Sequence, residues 1–129
     1  MLIVAKSLKD LRFSELMQVY AQSNLEAAKE RKHLPSMFAL QLAEQDLRQY
    51  LQEVFFRTPG ARCCIWEESG RYVSALRLEP YRDGLLLAAL ETAPDDRNRG
   101  YASILVREVQ KYLARQGNVK LYSHVNIYL

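Results

Sequence analysis

The sequence predicts a mixed α/β domain with one sheet, in the element order β-α-α-β-β-β-α-β, and two patterns carry this prediction. Apolar residues recur at helical spacing in the first half of the chain, and the period shortens to that of strands after residue 60. A final strand–helix–strand unit requires a parallel strand pair with a right-handed crossover. We expect the 129 residues to form one domain, 1–129, whose core needs neither disulfide nor metal.

The first half of the chain predicts one strand and two helices. The apolar run LIVA, residues 2–5, is typical of a short strand. Apolar residues at helical spacing from residue 11 to about residue 31 predict the first helix, which the HLPS stretch at 33–36 ends. The second helix is predicted from about residue 37 to residue 56, before the TPG stretch at 58–60.

Three strands are predicted next, as an antiparallel meander. Their sequences are ARCCIWEE (61–68), RYVSALRLEP (71–80) and LLLAALETA (85–93). Ser69-Gly70 predicts a tight turn between the first two strands, and Tyr81-Arg82-Asp83-Gly84 predicts the next turn, with the Asp83-Gly84 pair as its strongest part. Since LLLAAL is apolar at every position, it predicts a central strand covered on both faces.

The last two predicted elements are a helix and a strand. Apolar side chains follow helical spacing from residue 100 to residue 116, and Gly117 is a natural helix end. The segment VKLYSHVN, residues 119–126, alternates apolar and polar side chains and predicts the last strand. This strand lies parallel to the strand that precedes the helix.

Charge and composition exclude several functional classes. The net charge is only +3, and the longest basic run is KERK at 29–32, so we expect no nucleic-acid partner. No apolar run approaches ~20 residues, and the N-terminus lacks signal-peptide features, so we expect no membrane partner and a cytoplasmic location. Cys63 and Cys64 are adjacent on a strand and point to opposite faces, which predicts free thiols and no metal site.

The stretch APDDRNRGYAS, residues 93–103, predicts an anion site at the start of the last helix. Arg97 and Arg99 lie where the helix dipole already favours negative charge, so they become favourable if an anion binds there. Gly100 has no Cβ and lets an anion approach its backbone, while Ala102 keeps the first turn narrow. The nucleotide P-loop and dinucleotide glycine patterns are absent. A solvated loop with two exposed arginines is the alternative.

The motif R-x-x-G-x-A, from Arg97 to Ala102, resembles the pyrophosphate loop of the GNAT superfamily of acetyl-CoA-dependent N-acetyltransferases. Their signature is [Q/R]-x-x-G-x-[G/A], between the fourth strand and the third helix. The element order from residue 2 to residue 126 and the proline before the motif are also similar to the family. The resemblance implies an acyl-CoA N-acyltransferase fold, acetyl-CoA (coenzyme A) as cofactor, and acetyl transfer to a primary amine of a small molecule or protein.

The resemblance also implies which residues hold the cofactor. In the family, backbone N–H groups of the loop bind the pyrophosphate, and the exposed edge of the preceding strand binds the pantetheine arm and acetyl carbonyl. Arg97 and Arg99 are expected to add charge toward the 3′-phosphate. The implied cofactor-binding residues are Leu90, Glu91, Thr92, Ala93, Arg97, Asn98, Arg99, Gly100, Tyr101, Ala102 and Asn126.

The chemistry implied by the resemblance is direct acyl transfer. A neutral amine attacks the thioester, and a backbone N–H near residues 90–92 stabilises the oxyanion. Glu91 is the candidate general base because it lies beside the expected thioester position. A structural or merely exposed role for this carboxylate is the alternative, since its side chain can face either side of the sheet. His33 and His124 are expected to be surface and structural histidines.

The C-terminal end of the sequence departs from the family pattern, which continues with a helix and one or two strands. We expect that helix and its proton-donating tyrosine to have no counterpart here, and Tyr128 is not assigned that role. A last strand without a neighbour favours association, so a homo-oligomer through that strand is one expectation. A non-catalytic module that binds acetyl-CoA or coenzyme A, or joins a protein partner, and a purely structural protein are the alternatives.

The expected acceptor wall in this fold comprises the first two helices and their connecting loop, about residues 24–38. It carries Lys29, Arg31, Lys32 and His33, which suit an acceptor with an acidic portion and equally suit a plain exposed surface. The acceptor is expected to be a small-molecule or peptide amine, and the sequence does not separate these two.

Overall fold

The computed structural model describes residues 1–124, arranged around one five-stranded sheet. The strands, in spatial order, are β1 (Leu2–Ala5), β2 (Arg62–Glu68), β3 (Arg71–Tyr81), β4 (Gly84–Thr92) and β5 (Lys120–Ser123). The helices are α1 (Phe13–Val19), α2 (Ala21–Lys29), α3 (Ser36–Tyr50) and α4 (Tyr101–Arg115). The predicted mixed α/β class is confirmed. β5 is shorter than the predicted last strand, whose residues 125 and 126 lie outside the described part.

The sheet has the predicted topology, because β1 to β4 pair antiparallel in sequence and β5 pairs parallel to β4 across α4. The first hairpin turns at Ser69-Gly70, as predicted. The second hairpin turns at Arg82-Asp83, inside the predicted turn Tyr81–Gly84, whose end residues pair with each other, so this prediction is confirmed. Gly84 also begins β4 and allows a close approach, since a Cβ there would collide with the carbonyl oxygen of Lys120.

The prediction of one helix from residue 11 to about residue 31 is wrong, because the helix breaks at Tyr20 into α1 and α2. The backbone of Tyr20 has φ −90° and ψ 20°, outside the regular helix. Its side chain is buried, and its hydroxyl donates a hydrogen bond to the carbonyl oxygen of Ala89 on β4. This tertiary contact, which helical periodicity does not contain, accompanies the break.

The predicted second helix is confirmed as α3 plus one π-helical turn, Leu51–Phe55. The N–H of Phe56 donates to the carbonyl oxygen of Leu51 at 2.9 Å, five residues earlier. The wider turn accompanies the burial of both Leu51 and Phe55 in the core.

The core lies on both faces of the sheet. α1 and the end of α3 cover one face together with Ala5, Cys63, Ile65 and Ala75, whereas α4 covers the other face with Cys64, Leu76, Leu78 and Leu85. The two cysteines are therefore free, buried and on opposite faces, as predicted. Burial raises the pKa of each thiol to about 12. No helix within residues 1–124 is long and apolar enough to cross a bilayer.

Strand β4 is not covered on both faces, contrary to the prediction. Leu85 and Leu87 are buried on the α4 side, but Leu86 and Ala88 are only half-buried and Ala89 is exposed. The helices on the opposite face pack over β1, β2 and β3 instead. Continuous apolar character therefore indicates the position of β4 inside the sheet but not how far helices extend over it.

Candidate functional site

A cleft of about 400 Å³ lies where the C-terminal half of β4 faces the start of α4. Parallel pairing joins residues 84–87 of β4 to residues 120–123 of β5, so within the described chain it ends before the second half of β4. The residues lining the cleft are Leu90, Glu91, Thr92, Asp96, Arg97, Asn98, Gly100, Tyr101, Ala102 and Ser103.

A β-bulge shapes the strand side of the cleft. Ala75 pairs with Glu91 and Arg77 with Ala88, so two residues of β4, Ala89 and Leu90, oppose one residue of β3. Ala89, inside the bulge, has a φ of 53°, which a residue with a Cβ seldom adopts. The hydroxyl of Tyr20 donates to the Ala89 carbonyl oxygen at 2.8 Å and holds this strained peptide in place.

Beyond the bulge, the peptide groups of β4 alternate between β3 and the cleft. The N–H of Ala93 donates to the carbonyl oxygen of Val73 at 2.9 Å, so Ala93 faces β3. In an antiparallel ladder the next residues alternate, which turns the peptide groups of Thr92 and Leu90 toward the cleft. These groups can bind an extended, amide-bearing ligand along the strand edge.

The start of α4 provides the other side of the cleft. Gly100 is the N-cap, with φ 79° and ψ 11°, and no side chain caps the helix. The N–H of Ile104 bonds to the carbonyl oxygen of Gly100, whereas the N–H groups of residues 97–103 meet no acceptor among residues 1–124. A Cβ added at Gly100 would contact no atom within 4 Å, so the helix start is open to a ligand.

The loop before α4 is held by a buried carboxylate. Asp96 has only 4% of its surface exposed, and its Oδ1 accepts a hydrogen bond from Arg71 at 2.5 Å. Arg99 lies 3.7 Å from the same oxygen, on the side of a neighbouring cavity. Arg97 lines the cleft and has no ion-pair partner among residues 1–124. The two arginines of the motif thus differ in surroundings.

Glu91 is positioned by the helix opposite β4. Its carboxylate accepts hydrogen bonds from the hydroxyl of Ser23 and, at 3.3 Å, from the Ser23 N–H. Its own carbonyl oxygen accepts a hydrogen bond from the hydroxyl of Ser74 at 3.0 Å. The side chain therefore lies on the α1–α2 face of the sheet, at the edge of the cleft, and keeps oxygen lone pairs that can accept a proton.

Eight of the eleven cofactor-binding residues predicted from the sequence line this one cleft: Leu90, Glu91, Thr92, Arg97, Asn98, Gly100, Tyr101 and Ala102. Ala93 is buried with its N–H bonded to β3, Arg99 faces Asp96, and Asn126 lies outside the described residues.

Three residues at this site are absent from the sequence prediction. Asp96 belongs to the acidic pair beside the motif, a signal that could have found it. Ser103 follows the motif directly on α4 and lines the cleft. Tyr20 has no local signal, because only the packing of α1 brings it to the bulge. Burial raises the pKa of Tyr20 well above its usual value, so its hydroxyl stays protonated as a donor.

Sequence comparison assigns a family to most of the chain. The model of the acetyltransferase (GNAT) family matches residues 17–127. No curated protein matches the chain by sequence similarity.

Several solved structures share the fold at low sequence identity. A ribosomal-protein-alanine N-acetyltransferase from Brucella melitensis biovar Abortus 2308 is 17% identical, with a TM-score of 0.62, over 98% of this chain and 79% of its own. The PaiA N-acetyltransferase from Thermoplasma acidophilum, in complex with coenzyme A, is 12% identical, with a TM-score of 0.58, over 97% and 79%. The aminoglycoside acetyltransferase HMB0005 from an uncultured soil metagenomic sample is 14% identical, with a TM-score of 0.56, over 100% and 82%.

Proposed function

Because the chain belongs to the acetyltransferase (GNAT) family, we propose that it transfers an acetyl group from acetyl-CoA to a primary amine. One observation carries the proposal: the open N–H groups at the start of α4 face the same cleft as the edge of β4 and Glu91. An anion site, a strand edge for an amide-bearing arm and a carboxylate base are the three parts that this reaction needs.

The helix start fits the diphosphate of coenzyme A. Its N–H groups, from residue 97 to residue 103, would donate to the phosphate oxygens, and Arg97 would add positive charge at the cleft wall. Gly100 leaves room for this approach, because no side chain projects from the N-cap. The peptide groups of Leu90 and Thr92 would bind the amides of the pantetheine arm.

The thioester supplies an activated acyl carbon. A peptide N–H of β4, at Leu90 or Thr92, would hold the carbonyl oxygen, and Glu91 would accept the proton that leaves the attacking nitrogen, directly or through a water. A nitrogen–carbon bond forms and the carbon–sulfur bond breaks. The products are an N-acetylated amine and the thiol of coenzyme A, whose sulfur takes up one proton. Ser23 would orient Glu91 toward this task.

The proposal is tested by thiol release from acetyl-CoA in the presence of primary amines. The panel contains peptides with free N-termini and aminoglycosides, because two structures of similar fold are named for such acceptors. We expect amine-dependent release of coenzyme A and stabilisation of the protein by millimolar coenzyme A. Stabilisation without turnover of any amine would favour a non-catalytic coenzyme A-binding module. If coenzyme A does not stabilise the protein and no amine is turned over, both functions are refuted.

A further inference from the structure

Arg77, on β3, carries a cation without a partner. Its guanidinium forms no hydrogen bond or ion pair within residues 1–124, and its Nε is buried. Its guanidinium carbon lies 5.9, 5.6 and 5.9 Å from the ring centroids of Tyr20, Tyr50 and Phe55. The rings stabilise the charge but cannot accept its N–H hydrogen bonds fully. A half-buried guanidinium whose N–H groups meet no acceptor within residues 1–124 can bind an anion or a water there.

The position of Arg77 relates it to the candidate site. Arg77 pairs with Ala88, and Ala75 pairs with Glu91, so Arg77 and Glu91 project from the same face on either side of the bulge. The two β3 positions are about 7 Å apart along the strand, given the usual strand rise. Tyr20 contacts both Arg77 and the bulge, since its ring faces the guanidinium and its hydroxyl donates to the carbonyl oxygen of Ala89.

The bound group must reach the outer end of the side chain. Arg77 is half-buried as a whole, and because Nε is buried, the accessible part of the guanidinium is its pair of Nη atoms. A planar pair of donors matches the two oxygens of a carboxylate. Within residues 1–124, Arg77 is the one cation that these three rings contact, so this place offers a single positive charge. A single positive charge matches a singly charged carboxylate better than a doubly charged phosphate.

We propose that Arg77 selects amine acceptors that carry a carboxylate, by binding that carboxylate while the amine lies at Glu91. This inference rests on the proposed acetyl transfer and names its acceptor class as amino-acid-like. It differs from the expectation for residues 24–38, because the selecting cation lies on the sheet. Of the cations in that segment, Arg31 is already paired with Asp46.

The test compares matched acceptors and matched variants. The acceptors are linear ω-amino acids from β-alanine to 6-aminohexanoate and the carboxamide of each. We expect the wild type to prefer the acid to its carboxamide by about 10- to 100-fold in kcat/KM, from the usual strength of a charge-assisted pair. Arg77→Met should abolish the preference, Arg77→Lys should keep part of it, and neither should change the KM for acetyl-CoA. Arg107→Met, an exposed arginine on α4, is the control and should keep the full preference.

Two results would overturn the proposal for an active enzyme: a wild type that does not distinguish acid from carboxamide, or an Arg77→Met variant that still does. A binding measurement tests the proposal if the protein turns over no acceptor or if the Arg77→Met variant does not fold. The ¹⁵Nε signal of Arg77, assigned from its loss in Arg77→Lys, should shift on titration with the acids and not with the carboxamides. A shift without turnover would support the carboxylate site while the acetyl-transfer proposal fails, and an unmoved signal would reject the site.

Discussion

A negative side chain at Gly100 should strongly weaken coenzyme A binding while leaving the protein folded. Gly100 has φ 79°, a backbone conformation that strains a residue with a Cβ. A substitution there should therefore lower the free energy of unfolding by about 1–2 kcal/mol. The new side chain has room, since a Cβ there would contact no atom within 4 Å. A carboxylate about 5 Å from a phosphate charge repels it by about 3 kcal/mol at an effective dielectric constant near 20. Gly100→Glu should therefore weaken coenzyme A binding at least ~100-fold.

Titration calorimetry with coenzyme A measures this loss directly, and thermal unfolding without ligand measures the strain. In the absence of ligand, the melting temperature of Gly100→Glu should fall by about 4–8 °C, the effect of 1–2 kcal/mol in a domain of this size. With millimolar coenzyme A the wild type should gain stability and the variant should not. Gly100→Ala carries the same strain without the charge, so it should keep far more of the affinity.

Gly117→Glu is the matched control. Gly117 has φ 107°, and a Cβ there would also contact no atom within 4 Å. It lies beyond the opposite end of α4, about 22 Å away for a helix of this length. We expect a similar loss of melting temperature and an unchanged Kd for coenzyme A. If Gly100→Glu and Gly117→Glu bind coenzyme A equally well, the assignment of the diphosphate to the start of α4 is refuted.

Three further predictions address the base, the loop and the pH dependence of stability. Glu91→Gln should lower kcat about 10²- to 10⁴-fold with little change in the Kd of coenzyme A, and an unchanged kcat would remove Glu91 from the chemistry. Asp96→Asn should lower the free energy of unfolding by about 1–3 kcal/mol in urea titrations, because the buried carboxylate loses its charge-assisted bond from Arg71. The hydrogen bond from Arg12 lowers the pKa of Glu15 in the folded protein. The ionised Glu15 therefore stabilises the fold above its unfolded-state pKa of about 4.3, and this stabilisation disappears as the pH falls through the lower folded-state pKa. The urea midpoints of wild type and Glu15→Gln should therefore differ at pH 7 and converge on acidification, and a constant difference would contradict this assignment.

Several parts of the protein follow from local sequence, because local physics decides them. Helical periodicity and the glycine that follows it indicate α4, and Ser69-Gly70 indicates its hairpin turn, since each pattern spans only neighbouring residues. The loop from Arg97 to Ala102 is equally local, because its donors are successive backbone N–H groups at one helix start. The sequence also predicts the parallel pairing of β4 and β5, since a strand–helix–strand connection has one favoured hand.

Other features depend on contacts between residues far apart in the chain, which the spacing of apolar residues does not reveal. The break at Tyr20 and the bulge at Ala89 belong together, because a hydrogen bond across 69 residues joins them. Likewise, the ladder register alone puts Arg77 and Glu91 on one face, and the packing of α1 and α3 alone surrounds Arg77 with rings. The sequence by itself thus determined most of the elements and the glycine-capped start of α4, because these arise from neighbouring residues. Only the tertiary structure decided which side chains line the cleft and the sheet face beside it, because register and packing sum over the whole fold.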